Sequence, residues 1–144
     1  MTPLLSLEEI RQLIADRFPE ASVFTELTKL GPDFLELRLP FRNEFLRPGG
    51  TISGPVLMML ADTGAYYLIL AHLGPVLLAV TTSLNINFIR KPSAEAVLAE
   101  VRLLKLGKQL AVADVHIKNE ASGLLVAQAT VTYSIPPRED NAVT

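Results

Sequence analysis

The chain has 144 residues, 13 basic and 15 acidic side chains for a net charge of −2, and 49% hydrophobic residues. That length suits one domain with a sizeable core, and the near-neutral balance carries no electrostatic footprint for nucleic acid. The absence of cysteine excludes disulfides and thiolate chemistry. His72 and His116 lack a metal-ligand spacing, so no metal or redox cofactor is expected.

Ser6 and Glu9 read as a capping box. The helix it starts spans about 6–18, carries Leu7, Ile10, Leu13 and Ile14 on one face, and ends near Phe18-Pro19. The opening stretch has no basic leader, and Glu8 and Glu9 interrupt its apolar run. A secretory signal is therefore not expected, and a cytoplasmic location is. Ser22 to Lys29 has weak strand character, and Gly31-Pro32-Asp33 is a turn signal. Phe34 to Phe41 alternates, with Leu35, Leu37 and Leu39 opposite Glu36 and Arg38. Arg42 to Ser53 is a long connection containing Arg47-Pro48-Gly49-Gly50, and long loops inside compact domains are often functional.

The next stretch, GPVLMMLADTGAYYLILA from Gly54 to Ala71, is the most informative. Ser53 can cap it, Pro55 suits an early helical position, and Leu73-Gly74-Pro75 ends it. A helix apolar on every face is buried in protein or in lipid. Pro55, Asp62, Gly64 and the lack of flanking basic anchors argue against a membrane span. A lone carboxylate on such a helix is costly unless it faces a cleft, is paired or is protonated, and disturbed carboxylates concentrate at catalytic sites. Asp62 is thus the leading candidate for chemistry, with a satisfied core carboxylate as the competing reading.

Four strands follow. Leu78 to Ile89 carries Leu84, Ile86 and Phe88 on one face, and Arg90-Lys91-Pro92-Ser93 breaks it. Ala96 to Leu106 sets Val97, Ala99, Val101 and Leu103 opposite Glu100 and Arg102, with Gly107-Lys108 as a tight connection. Ala111, Ala113, Val115 and Ile117 then oppose Asp114, His116 and Lys118. After a turn at Asn119 to Gly123, Leu125, Ala127, Ala129, Val131 and Tyr133 oppose Gln128, Thr130, Thr132 and Ser134. Pro136-Pro137 ends the sheet, and a tail over about 137–144 reads as disordered. The order helix, two strands, long helix, four strands with short turns describes one α+β domain over 1–144, an antiparallel sheet wrapped around the long apolar helix.

The segments RPGGTISGPVLMMLADTGAYYLI, AVTTSLNINFIRKP and LLKLGKQLAVADVHIKNEASGLLVAQATVTY resemble the hotdog-fold thioesterases, in the branch related to the phenylacetate-pathway acyl-CoA thioesterase. The resemblance covers nearly all of the chain after the first helix. It implies two subunits paired edge to edge, commonly as tetramers, and acyl-CoA as substrate, with coenzyme A entering only as part of it. No membrane or nucleic-acid partner is implied. The family's loop–helix junction reads Asn-x-x-Gly-x-x-His-Gly-Gly, with an acid two turns into the helix. Those positions here are Arg47, Gly50, Ser53, Gly54 and Pro55, followed by Asp62. The acid is kept, while Arg47 and Ser53 replace the Asn and His.

The resemblance assigns Asp62 as general base or nucleophile, beside the opposing subunit's loop. It assigns the Gly54 N–H, at a helix N-terminus, to the thioester carbonyl, and Thr81 to the attacking water. Pro55 removes the next donor. Arg90, Lys91, Lys105 and Lys108 lie at strand ends and turns and would meet the coenzyme A phosphates, and Arg47 would meet the carbonyl or a phosphate. Met58 and Tyr66 would help shape the acyl pocket. Ser53 reads as a helix cap rather than a nucleophile, since it lacks the G-x-S-x-G setting. His116 reads as solvated, and His72 as a cation complementing the helix end. The main alternative is a non-catalytic acyl-CoA or lipid-binding protein. A dehydratase would need a catalytic histidine, and none lies between Arg42 and Thr63.

Overall fold

The apolar stretch forms one helix, α3 (Gly54–Leu73), in a computed structural model that describes residues 1–137. The tail read as disordered otherwise lies outside the described residues. Before α3 come α1 (Leu7–Arg17), the short α2 (Pro19–Ser22), β1 (Glu26–Gly31) and β2 (Phe34–Leu39). The capping box at Ser6 and Glu9 is formed in both directions.

Two short strands, β3 (Leu46–Arg47) and β4 (Thr51–Ile52), make a separate small hairpin just before α3. After α3 come β5 (Val80–Phe88), β6 (Val97–Leu106), β7 (Leu110–Asn119) and β8 (Leu125–Ser134). The main sheet has six strands in the order β1-β2-β6-β7-β8-β5, and every pairing is antiparallel.

The inward faces are those the alternation predicts. Leu35, Leu37, Val97, Ala99, Val101, Val115, Ile117, Ala127 and Ala129 are fully buried against α3 and the rest of the core. The helix fits because its sheet-facing positions include small residues. Ala61, Gly64 and Ala65 are buried, and a Cβ added at Gly64 would lie 2.8 Å from Val101 Cγ2. The helix is long and apolar enough to cross a membrane by composition, but 61% of its apolar window is buried inside the fold.

Several local readings change. Ser22 to Lys29 is not one strand. Pro19 starts a helical turn, and pairing with β2 begins only at Glu26. The Arg42–Ser53 connection is more ordered than a loop, with a 3₁₀ turn at Asn43–Phe45 and the β3–β4 hairpin. Its Gly49 and Gly50 have φ of 104° and 77°, a backbone that L side chains rarely adopt. Glu36 faces outward yet is buried, because the irregularity in β1 between Leu27 and Lys29 lays Thr28 over it. The Thr28 hydroxyl donates to Glu36 Oε1 at 2.8 Å.

One of the two histidines departs from expectation. His72 is buried, with Nε2 accepting from the Asp33 N–H (3.1 Å) and Nδ1 3.0 Å from the Leu68 carbonyl. The sequence places it at the helix end as a complement to the dipole; in the structure its ring is buried and ties the β1–β2 turn to the end of α3. His116 is exposed on the polar face of β7, as expected, and lies 3.1 Å from Asp114 Oδ2.

One edge of the sheet is left open. Leu84 and Ile86 of β5 are only half buried, and Val80 and Phe88 are 57% and 54% exposed, because no strand lies beyond β5.

Candidate active site

Asp62 lies in the middle of α3 on the side facing β5 and β8. Its Oδ1 accepts two hydrogen bonds, from the Thr81 hydroxyl at 2.6 Å and from the Tyr133 hydroxyl at 2.9 Å. Thr81 and Tyr133 are direct cross-strand neighbours, so the two hydroxyls approach the carboxylate from one patch of sheet. An irregularity in β5 between Thr81 and Ser83 makes this possible. The alternation set by Leu84 and Ile86 would turn Thr82 inward. The extra residue turns Thr81 inward instead, while the Thr82 hydroxyl donates to the Thr132 carbonyl.

The helix start is a second element of the site. Ser53 occupies the N-cap position, but its side chain makes no capping bond. Pro55 has no N–H to give, and the Leu57 N–H reaches the Ser53 carbonyl at 3.3 Å. The Ser53 N–H is held by the Phe45 carbonyl at 2.8 Å, which fixes the loop against the helix. That leaves the N–H groups of Gly54 and Val56 without a partner among the described residues. Such donors at a helix N-terminus favour an anion.

Gly54 lines a cleft of about 440 Å³ whose walls also include Arg47, Leu57, Phe88, Arg90 and Lys91. Arg47 is placed by its pairing with Thr51 across the glycine turn of β3–β4, which is also how Gly50 serves the site. Arg90 donates to the Leu125 carbonyl at 2.9 Å. Among the described residues, Arg47, Arg90 and Lys91 are in no ion pair, so the cleft carries uncompensated positive charge.

Lys105 and Lys108 lie elsewhere. They flank the β6–β7 turn at the end of the sheet where β5 begins, whereas Arg90 and Lys91 follow the end of β5. Within one protomer the four cations therefore do not surround one ligand. Met58 is 40% exposed and lies one turn from Gly54 and one from Asp62 on the same helix face. The Tyr66 hydroxyl donates to the Leu77 carbonyl at 2.8 Å, and its ring stacks on Tyr133 with centroids 5.8 Å apart. Burial pushes the Tyr66 phenol up to about 12 and also raises Tyr133 above its ordinary range, so both stay neutral donors.

Residues 49–126 match the thioesterase superfamily. The chain belongs to that superfamily. Its similarity to individual members extends beyond the matched segment. A protein of Silicibacter sp. TM1040 described as a candidate thioesterase shares 40% identity and a TM-score of 0.88, over 95% of this chain and 96% of that one. A candidate esterase of Saccharolobus solfataricus is 29% identical over 142 residues, 99% of this chain and 93% of the relative. The E. coli PaaI protein from the phenylacetic acid degradation operon has the same fold, with a TM-score of 0.79 at 21% identity, covering 92% of this chain and 97% of that one. The fold is therefore the hotdog fold, and thioester hydrolysis is the general chemistry that superfamily membership supports.

Tyr133 is the site residue that sequence reading missed. It ends a ladder of inward alanines and valines and so reads as core. The available signal was the hydroxyl itself, since a buried phenol needs a hydrogen-bond partner.

Proposed function

We propose that the protein hydrolyses acyl-CoA thioesters, with Asp62 as the reacting carboxylate and the Gly54 N–H polarising the thioester carbonyl, in a site shared by two copies of the chain. The observation that carries this reading is Asp62, fixed by two hydroxyls on an otherwise apolar helix whose own N-terminus offers uncapped donors.

Geometry argues for the second copy. Gly54 and Asp62 are eight residues apart on one helix, a rise of about 12 Å. Both would have to reach one thioester group at roughly 3 Å, so one protomer alone does not bring them to the same carbonyl. The open β5 edge supplies the remedy, since exposed edge strands are templates for pairing. Antiparallel pairing of two β5 strands about their centre near Leu84 sets Thr81 of one chain close to Phe88 of the other. Phe88 packs on Gly54, since a Cβ there would lie 3.2 Å from its ring. Asp62 of one copy thus approaches Gly54 of the other. The same operation carries the Lys105–Lys108 end toward the second copy's Arg90 and Lys91. The uncompensated Arg47, Arg90 and Lys91 suit the phosphates of coenzyme A, and further pairing of such dimers into a tetramer fits the family.

With Asp62 as base, it takes a proton from water while the water oxygen adds to the thioester carbonyl carbon. The carbonyl electron pair moves to oxygen, where the second copy's Gly54 N–H receives it. Collapse breaks the C–S bond, and the thiolate leaves with the proton held by Asp62. The Thr81 hydrogen is directed at Asp62, so Thr81 can meet that water only as an acceptor. A nucleophilic Asp62 would instead form an acyl anhydride that water then cleaves.

The replacement of the usual Asn and His by Arg47 and Ser53 favours a second reading, a protein that binds acyl-CoA without turning it over. The test is thiol release from short, medium, long and aryl acyl-CoAs by the native protein and by Asp62→Asn. In that variant Thr81 and Tyr133 can still donate to the amide oxygen, so the fold is retained. Loss of a positioned base is expected to lower turnover about 10²–10⁴-fold. Saturable binding without thiol release from any substrate would establish the binding protein instead.

A further inference from the structure

We propose that Tyr133 is a positioning residue of this site: together with Thr81 it fixes Oδ1 of Asp62 and leaves Oδ2 as the single reacting oxygen. The proposal rests on the hydrolase reading above for its chemistry and on geometry for its placement.

A carboxylate has two equivalent oxygens and rotates about its last bond with little restraint. Here that freedom is removed. Both donors to the carboxylate, at 2.6 and 2.9 Å, go to Oδ1, and the Tyr133 hydroxyl also lies 3.2 Å from the Asp62 main-chain carbonyl. Oδ2 has no partner among the described residues, and it is not buried, since the only buried side-chain polar atom without a partner among them is the Tyr67 hydroxyl. One oxygen is held and the other is presented.

Tyr133 is itself tightly held. It is 4% exposed on an interior strand. Its ring stacks on Tyr66, which in turn receives the edge of Phe18 with centroids 5.4 Å apart and is anchored through its hydroxyl to the Leu77 carbonyl. The phenol therefore cannot follow the carboxylate if it turns. Thr81, by contrast, is exposed within one protomer and sits beside the irregularity in β5, where the ladder is interrupted. Of the two donors, Tyr133 provides the rigid reference.

Without the phenol, the Thr81 hydroxyl alone would hold Oδ1, and the carboxylate could turn about its last bond. A purely structural tyrosine would be replaced by phenylalanine with no such consequence, because the ring and its stacking on Tyr66 survive the change.

The experiment compares native protein with Tyr133→Phe in two measurements. In steady-state hydrolysis of the best acyl-CoA, kcat is expected to fall about tenfold with KM within about twofold, the size expected for losing one hydrogen bond to a charged group. In crystal structures of both proteins, the Asp62 carboxylate is expected to leave its single orientation in the variant while the Tyr66 stacking is unchanged. An unchanged kcat together with an unchanged carboxylate orientation would overturn the proposal. If the native protein releases no thiol, the hydrolase reading fails on its own. The carboxylate orientation then decides the positioning role: a retained orientation in Tyr133→Phe overturns it, and a lost one supports it.

Discussion

Gly64→Ala tests how the fold delivers Asp62 to its hydroxyl partners. The new Cβ would sit 2.8 Å from Val101 Cγ2, whereas carbon atoms pack best at about 3.5–4.0 Å. The helix would have to lift from the sheet by up to about 1 Å, or Val101 would have to move. Val101 is fully buried on β6, an interior strand held on both sides by β2 and β7, and β-branched side chains are stiff at χ1. Overpacking of this kind costs about 1–3 kcal/mol. Replacing glycine in a helix interior returns about 1 kcal/mol. The net loss is up to about 2 kcal/mol, a fall in melting temperature of up to roughly 8 °C for a chain of this size.

The same lift stretches the 2.6 and 2.9 Å bonds to Asp62, two residues away, so turnover of the surviving folded protein falls as well. Thermal melts read the first effect and thiol release at low temperature the second. Gly54→Ala serves as the contrast. Its Cβ meets only the ring of Phe88 at 3.2 Å, and Phe88 is 54% exposed and free to swing. A Gly64→Ala protein that melts at or above the native temperature would refute the close-approach argument.

Two further outcomes are expected. Replacing Arg47, Arg90 and Lys91 together by glutamine should raise KM for acyl-CoA by at least about tenfold, since each lost charged contact is worth on the order of 1 kcal/mol or more. The same variant should leave the KM of a small thioester without phosphates almost unchanged; equal losses on both substrates would remove the phosphate role. The second concerns alkaline pH. Burial raises Tyr66 to about 12 and raises Tyr67 and Tyr133 too, whereas phenols in the unfolded chain titrate near about 10. Their contribution to stability is therefore complete below about pH 10 and declines as pH rises toward 12. The melting temperature should hold between pH 8 and 9 and fall steadily above 10, and a flat curve through pH 11 would contradict the burial of these phenols.

Periodicity made most of the fold legible. The alternation of Leu35, Leu37 and Leu39, and of the three long strands after Gly74, named the inward faces, and the all-round apolarity of α3 predicted a helix enclosed by sheet. Less legible were features set by tertiary contact. Thr81 faces Asp62 only because the sheet takes up an extra residue beside it, and no local pattern marks where a bulge falls. The missing cap at Ser53 follows from Pro55 lacking an N–H and from a loop anchored at Phe45. His72 looked like a helix-end charge because its partner, the Asp33 amide, is 39 residues away. Asp62 stood out because a lone carboxylate on an apolar helix violates the local rule. Tyr133 stayed hidden because an inward aromatic obeys it.

The most direct test of the shared site mixes two inactive chains, Asp62→Asn and Gly54→Pro. The second removes the N–H at the first helical position, where proline is tolerated. In a closed pair of exchanging subunits, half of the random pairs are mixed and each mixed pair keeps one intact site, so about a quarter of native activity should return. Activity that stays at the level of the separate variants, with subunit exchange verified by mass, would contradict a site built from both copies.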